Sequence, residues 1–412
     1  MSAATLFAHP RTGGAALLCA LMLAACGGDD NGQTAAPAPE SSQAQASPPV
    51  LHWTLPEYVA PDDWAWNLPD YFPPPRVPAD NPMRAEKVAL GRWLFYDKRL
   101  SGNGTQACAT CHEQSRAFSD GRARALGSTG VVHPRGAMAL VNVAWNATYT
   151  WANSALPSLE RQIPNPIFGT EPVELGVSED AVAVVLERLR ADARYPAMFA
   201  AAFGTEQITW QRIMQAITSF ERTLVSVNSR YDHYLQGKAT LTDAELNGLR
   251  VFHEAQCDTC HGGPNFTDQF VSADTREIRV RYHNVGLYNL DGQGAYPADS
   301  EGVFEITANL ADIGAFRAPT LRNIEVSAPY MHDGSLATLE EVVDLFAEGG
   351  WHILEGPLAG DGRASPLKSR LVRARALSAQ ERADLVAFLK TLTDPAFLTD
   401  PSLSDPFQET AR

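Results

Sequence analysis

The chain carries one five-residue attachment pattern twice, Cys108-Ala-Thr-Cys111-His112 and Cys257-Asp-Thr-Cys260-His261. C-x-x-C-H is how a c-type haem is held. The two thiols form thioethers with the porphyrin, and the adjacent histidine becomes an iron ligand. One copy would equally suit half of a zinc site or a redox-active C-x-x-C. Two copies, each closed by Cys-His, favour two covalently bound haems and therefore redox chemistry. Cys108, Cys111, Cys257 and Cys260 are then the attachment points, and His112 and His261 the proximal iron ligands.

Composition narrows the setting. The 412 residues suffice for two or three domains with real cores, and 45% hydrophobic with 20% charged residues is ordinary for a globular chain. A net charge of −15 argues against nucleic acid and anionic membranes as partners. Of six cysteines, four belong to the haem motifs, so no pair is left for a disulfide in the body. The other two, Cys19 and Cys26, lie in a targeting segment. There Arg11 precedes an apolar run, Ala15 to Ala25, too short to span a bilayer. The run ends Leu23-Ala24-Ala25-Cys26, followed by Gly27-Gly28. This resembles a bacterial lipoprotein signal: residues 1–25 removed, Cys26 lipidated, and a periplasmic protein touching the membrane only through its anchor. A plain secretory peptide is the alternative; either way the chain is exported.

Residues 26–80 read as a Gly/Ala/Pro/Ser/Gln tether followed by an arm rich in proline and aromatics, including Trp64, Trp66, Tyr71 and Phe72. Asn81-Pro82 reads as a helix cap with proline at the first helical position, ahead of helical periodicity to Tyr96. Thr242-x-x-Glu245, Thr338-x-x-Glu341 and Ser378-x-x-Glu381 fit capping boxes. Further helices are expected at about 179–191 and 208–227, and Gly349-Gly350 should stop the helix that starts near Leu339. Strand signals are few, so the fold class is mostly α. An internal repeat organises it. Leu90-Gly91-Arg92-x-Leu94-Phe95 precedes the first motif and Leu249-Arg250-Val251-Phe252 the second; Phe118-Ser119-Asp120 and Phe266-Thr267-Asp268 follow them. We read two cytochrome c-like domains, residues 81–235 and 236–400, each with one haem, and a tail at 401–412. Residues 377–392 would form the closing helix of the second.

Phe316-Arg317-Ala318-Pro319-Thr320-Leu321-Arg322-Asn323 and Ala328-Pro329-Tyr330-Met331-His332-Asp333-Gly334, with the two haem motifs, resemble the bacterial dihaem cytochrome c peroxidase and MauG superfamily over about residues 81–395. Leu100 to Gln106 and Pro164 to Gly169 are most similar to its MbnH group, whose members oxidise a tryptophan of a partner protein. The resemblance implies an enzyme that activates hydrogen peroxide at the His112 haem. It places Trp151 between the haems as an electron relay. It assigns Gln162, Pro166 and Glu174 to the wall of the peroxide site, with Glu171 as a rival for the carboxylate. Such a wall needs an acid to shuttle a proton, an amide to fix the oxidant and a bulky residue to limit approach. It also implies a calcium ion held by Asn142, Ser327 and Pro329, haem propionates or a domain interface lined by His332 and Arg322, and pairing of two chains, as in peroxidase relatives.

The chain departs from the pattern at Phe346, where relatives carry a methionine or tyrosine ligand to the second iron. Phenylalanine has no lone pair; Met331 and His352 are the nearest substitutes. His133 matches a segment that carries a mobile ligand in some relatives, but reads better as a surface histidine. His52, His233, His253 and His283 read as solvated. Three functions stay open: oxidation of a partner protein, reduction of peroxide with electrons from a small cytochrome or cupredoxin, and electron carriage without catalysis.

Overall fold

The computed structural model describes residues 58–59 and 64–409. The expected signal peptide, Cys26, His52 and the tether lie outside the described residues. Helices dominate. In chain order they are α1 (Ala85–Tyr96), α2 (Cys108–Cys111), α3 (Leu159–Gln162), α4 (Pro164–Phe168), α5 (Glu179–Arg190), α6 (Arg194–Phe203), α7 (Trp210–Glu221), α8 (Arg230–Leu235), α9 (Asp243–Glu254), α10 (Phe304–Thr307), α11 (Leu339–Glu348), α12 (Ala379–Lys390), α13 (Pro395–Thr399) and α14 (Pro406–Glu409). Among the described residues, strands occur only as two-residue antiparallel pairs: β1 (Tyr58–Val59) with β2 (Val77–Pro78), β3 (His283–Asn284) with β4 (Ala315–Phe316), and β5 (His352–Ile353) with β6 (Gly360–Asp361).

The capping chemistry works as the sequence implies. At α9 the Thr242 hydroxyl accepts from the Glu245 amide, and the Glu245 carboxylate accepts from the Thr242 amide at 2.7 Å. Thr338 and Ser378 cap α11 and α12 in the same way. Gly349 closes α11 at φ 74°, a left-handed position that costs glycine little. The cap expected at Asn81-Pro82 is absent. Arg84 occupies the N-cap of α1 without a side-chain bond. Asn81 is instead wholly buried. Its Nδ2 donates to Glu160 Oε1 (2.8 Å) and Thr218 Oγ1 (3.0 Å), while its Oδ1 accepts from Lys87 Nζ (2.8 Å). Interior polar groups claimed this side chain before the helix end did.

Two helix pairs repeat one crossing. α1 packs on α7 and α9 on α12. A Cβ on Gly91 would stand 1.9 Å from the Ala216 carbonyl oxygen, and one on Gly248 would stand 1.9 Å from that of Asp384. Only glycine permits such backbone approach. Four residues on, Phe95 meets Phe220 (centroids 5.2 Å apart) and Phe252 meets Phe388 (5.3 Å). Phe95 then reaches Phe118, and Phe252 reaches Phe266, both at 6.0 Å. Burying each ring stabilises by roughly 2–3 kcal/mol. Each crossing seats one core: the first gathers Leu90, Leu94, Ile213, Ile217 and Phe220, the second Val251, Phe252, Val343, Leu385 and Phe388. The C-terminal stretch returns to the first core, where Phe397 and Leu403 are buried.

Candidate active site

The first haem motif lies on α2 and its exit. The His112 amide donates back to the Cys108 carbonyl at 3.1 Å, which turns the imidazole inward. Its Nδ1 lies 2.7 Å from the Phe118 carbonyl. A carbonyl only accepts, so Nδ1 carries the proton and Nε2 keeps its lone pair. Burial holds the ring's pKa below that of free imidazole, against the pull of that carbonyl. The ring keeps accessible surface because it lines a cavity of about 510 Å³. Cys108 and Cys111 line the same cavity, and burial raises both thiols, that of Cys111 to about 12.

The three residues expected in the wall of the peroxide site line this cavity, Gln162 from α3, Pro166 from α4, and Glu174, and so does Trp151, the expected relay. Glu171 lines it too, but is exposed while Glu174 is half-buried. Burial raises the Glu174 carboxyl, with His133 pulling the other way. His133 corrects an expectation. It is buried at 9% exposure, lines the cavity, and its Nε2 donates to the Val173 carbonyl at 3.1 Å. Proximity to the Glu174 segment, invisible in the sequence, draws it in.

The second motif repeats the arrangement. His261 Nδ1 lies 3.2 Å from the Phe266 carbonyl and 3.1 Å from that of Pro319. His261, Cys257 and Cys260 line a second cavity, of about 220 Å³. Phe346 and Met331 line it as well. His352 is exposed and accepts from Arg363 Nη2 at 2.9 Å, so it is no candidate ligand. His283, expected in solvent, sits at this cavity with its Nε2 2.7 Å from Asp268 Oδ2. The Asp268 carboxylate is the leading cause that raises its pKa, to about 9.

Trp151 and Arg317 line both cavities. The Trp151 indole donates to the Gly136 carbonyl at 2.9 Å, and its own carbonyl accepts from the Arg317 amide at 2.9 Å. Two separate anchors thus fix the ring between the sites.

Comparison with known proteins agrees with this geometry. The profile of the family described as di-haem cytochrome c peroxidase matches residues 85–240. The methylamine utilization protein MauG of Methylorubrum extorquens is 37% identical over 330 residues, covering 79% of this chain and 84% of that protein. The chain belongs to the dihaem cytochrome c peroxidase/MauG family. The cytochrome c551 peroxidase of Nitrosomonas europaea is 31% identical, covering 77% and 83%. A crystal structure of a MauG-like protein associated with microbial copper homeostasis superposes with a TM-score of 0.82 at 56% identity, covering 84% of this chain and 99% of that one. Family membership makes this a haem-dependent oxidoreductase that uses peroxide, with two c-type haems.

The dihaem family's cofactor fits the residues present. Each Cys-Cys-His set faces a cavity with its histidine Nε2 uncommitted. Arg317 is 7% exposed, its Nε has no partner, and among the described residues it makes no ion pair. Such a lone buried guanidinium suits the carboxylates of a porphyrin edge. Sequence reading assigned that task, or the lining of a domain interface, to His332 and Arg322. Arg322 lines neither cavity; it grips Asp232 of α8 through bonds of 2.8 and 2.9 Å and the Pro264 carbonyl at 2.7 Å. His332 does line the second cavity, stacked on Phe316 with centroids 3.7 Å apart. Its Nε2 is buried without a hydrogen-bond partner, 3.9 Å from Asp333 Oδ2, and burial lowers its pKa to about 4.

Glu221, at the end of α7, escaped sequence reading. It lines the first cavity with Oε2 unpartnered. Arg222 only partly offsets its burial, because that guanidinium grips Glu160 at 2.5 and 2.7 Å. Burial raises Glu221 to about 8. The signal was present only as an acid on a helix whose other buried positions are mostly apolar.

Of the expected calcium ligands, Asn142 Oδ1 accepts from the Ser226 amide at 2.7 Å and Ser327 Oγ donates to the Ile324 carbonyl at 3.2 Å. Asn142 Oδ1 retains a second lone pair.

Proposed function

We propose that this peroxidase draws its electrons from a tryptophan of a partner protein, by way of the second site and Trp151. The observation that carries this reading is the single indole lining both cavities. The similar protein associated with microbial copper homeostasis supports a copper-handling partner. The haem on His112 supplies the centre at which peroxide is reduced. Around it, Glu174 accepts a proton from one peroxide oxygen and returns it to the departing one. The Gln162 carboxamide holds the oxidant, and Pro166 narrows its approach. Hydrogen peroxide, two electrons and two protons give two waters. Trp151 passes the electrons one at a time.

The alternative donor, a small cytochrome or cupredoxin, has its own support in the peroxidase relatives. Phe346 weighs against it, since it removes a ligand that would hold the second iron in a simple electron-transfer state. The test incubates the two-haem protein with peroxide and a small tryptophan-containing copper-binding protein from the same organism, then maps oxidised peptides. Tryptophan oxidation on that protein, dependent on enzyme and peroxide, supports the reading. Rapid turnover of reduced cytochrome c with no protein oxidised would defeat it.

Three further points belong to this proposal. The chain is exported, periplasmic and anchored through Cys26; among the described residues no helix is long and apolar enough to cross a membrane. Asn142, Ser327 and Pro329 hold calcium, and two chains pair. The halves divide near residue 235, a division supported by the two cores, with residues 395–409 serving the first.

A further inference from the structure

Three tryptophans outside the site form an unbroken array. Trp145 ends a short 3-10 turn, Val143–Trp145, and its chain neighbours Val143 and Asn146 line the peroxide cavity. Its ring does not line that cavity and is wholly buried. Trp66 lies edge-on to it, centroids 6.2 Å apart, and Trp64 lies edge-on to Trp66 at 6.3 Å. Trp66 and Trp64 are both partly exposed.

Packing alone does not explain indoles here. Trp145 has a use for its N–H, which donates to the Pro73 carbonyl at 2.8 Å. Trp66 does not: its Nε1 is buried without a partner. An orphaned donor of that kind costs about 1–3 kcal/mol. Phenylalanine would fill the arm without that cost, as Phe72 does against the same Trp145 ring (4.8 Å). What indole offers beyond phenylalanine is a low oxidation potential. It is the aromatic side chain most easily stripped of an electron, and ring contacts at this spacing carry electrons rapidly.

We propose that Trp145, Trp66 and Trp64 form a second electron path, joining the wall of the peroxide cavity to the surface of the N-terminal arm. Its outer end is an entry port for a one-electron reductant. When no reductant is present, Trp64 itself supplies the electron. The first transfer takes one electron from the Trp64 ring and sends its N–H proton to water; the second takes another electron as a water molecule adds its oxygen to the ring, with release of one further proton. Two such withdrawals, with two protons, reduce one hydrogen peroxide to two waters. Trp145 and Trp66 are positioning residues that conduct without net change. The inference rests on the enzyme's use of peroxide and is independent of which protein donates through Trp151.

The test treats the two-haem protein with excess peroxide and no reductant, then maps oxygen additions by peptide mass spectrometry. In the wild type, Trp64 is expected to be oxidised. In W145F and in W66F that oxidation should fall several-fold, because the path is cut at two different points. Bulk oxidation of an exposed ring would be insensitive to either change. If W145F fails to retain haem, W66F decides, since Trp66 lines neither cavity. Unmodified Trp64 in the wild type, or equal oxidation of Trp64 in a haem-retaining variant, would overturn the proposal.

Discussion

Glu221 and Glu174 are two acids on one cavity wall, and burial raises both. Glu221 gives the sharper prediction, because its folded pKa of about 8 stands well above the ordinary 4.5. Below about pH 4.5 it is protonated folded or unfolded and is neutral to stability. As pH rises toward 8 the unfolded chain releases that proton while the folded chain retains it, so stability falls. Glu221→Gln removes the difference. The variant is expected to match the wild type in acid and to exceed it at pH 7 by at most about 3 kcal/mol. Denaturant unfolding at the two pH values checks this; parallel curves would contradict it. Phe346 supports a second prediction. It lines the second cavity and offers an iron nothing, so Phe346→Met places a sulfur where the family resemblance leads one to expect a ligand. A methionine-ligated low-spin signal in the ferric spectrum should appear, with slower oxidation of the partner protein.

The paired crossings carry the predictions at the level of elements. Gly91→Ala and Gly248→Ala each force a methyl onto a carbonyl of the facing helix. Each should cost at least about 2 kcal/mol in denaturant unfolding. A neutral result at either would mean that the crossing is looser than described. The Asp232–Arg322 pair has both side chains at 1% exposure or less. Arg322→Ala leaves a buried carboxylate alone and should cost about 3–5 kcal/mol, without changing what lines either cavity. Much of this architecture was legible. The Leu-Gly and Phe phrases before each motif, and the Phe-Ser/Thr-Asp phrases after, marked a repeat that reappears as matching crossings and matching Phe118 and Phe266 carbonyls under the two histidines. Three capping boxes fixed three helix starts. What was not legible depended on distant parts of the chain. Asn81 looks like a cap until Glu160 and Thr218 are near it. His133 and His283 look solvated until Val173 and Asp268 reach them. Arg317 and Arg322 stand five residues apart in one phrase, and only packing sends one to the cavities and the other to Asp232.

At the scale of the molecule, two cavities share one wall, and Trp151 and Arg317 stand in it. Binding at either cavity adds to fold stability as well as to function. A double variant, Cys108→Ala with Cys111→Ala, should gain the mass of one haem rather than two and unfold at a lower temperature. If electrons pass through Trp151 as proposed, the two sites act as one redox unit. The most direct measurement mixes the two-haem protein with one equivalent of hydrogen peroxide and records the absorption of both haems over time, in the wild type and in Trp151→Phe. The wild type should respond at both haems together. The variant should respond at the His112 haem, while the second haem lags by at least about tenfold, equivalent to about 1.4 kcal/mol of barrier. Equal responses at both haems in the variant would contradict electron passage through Trp151.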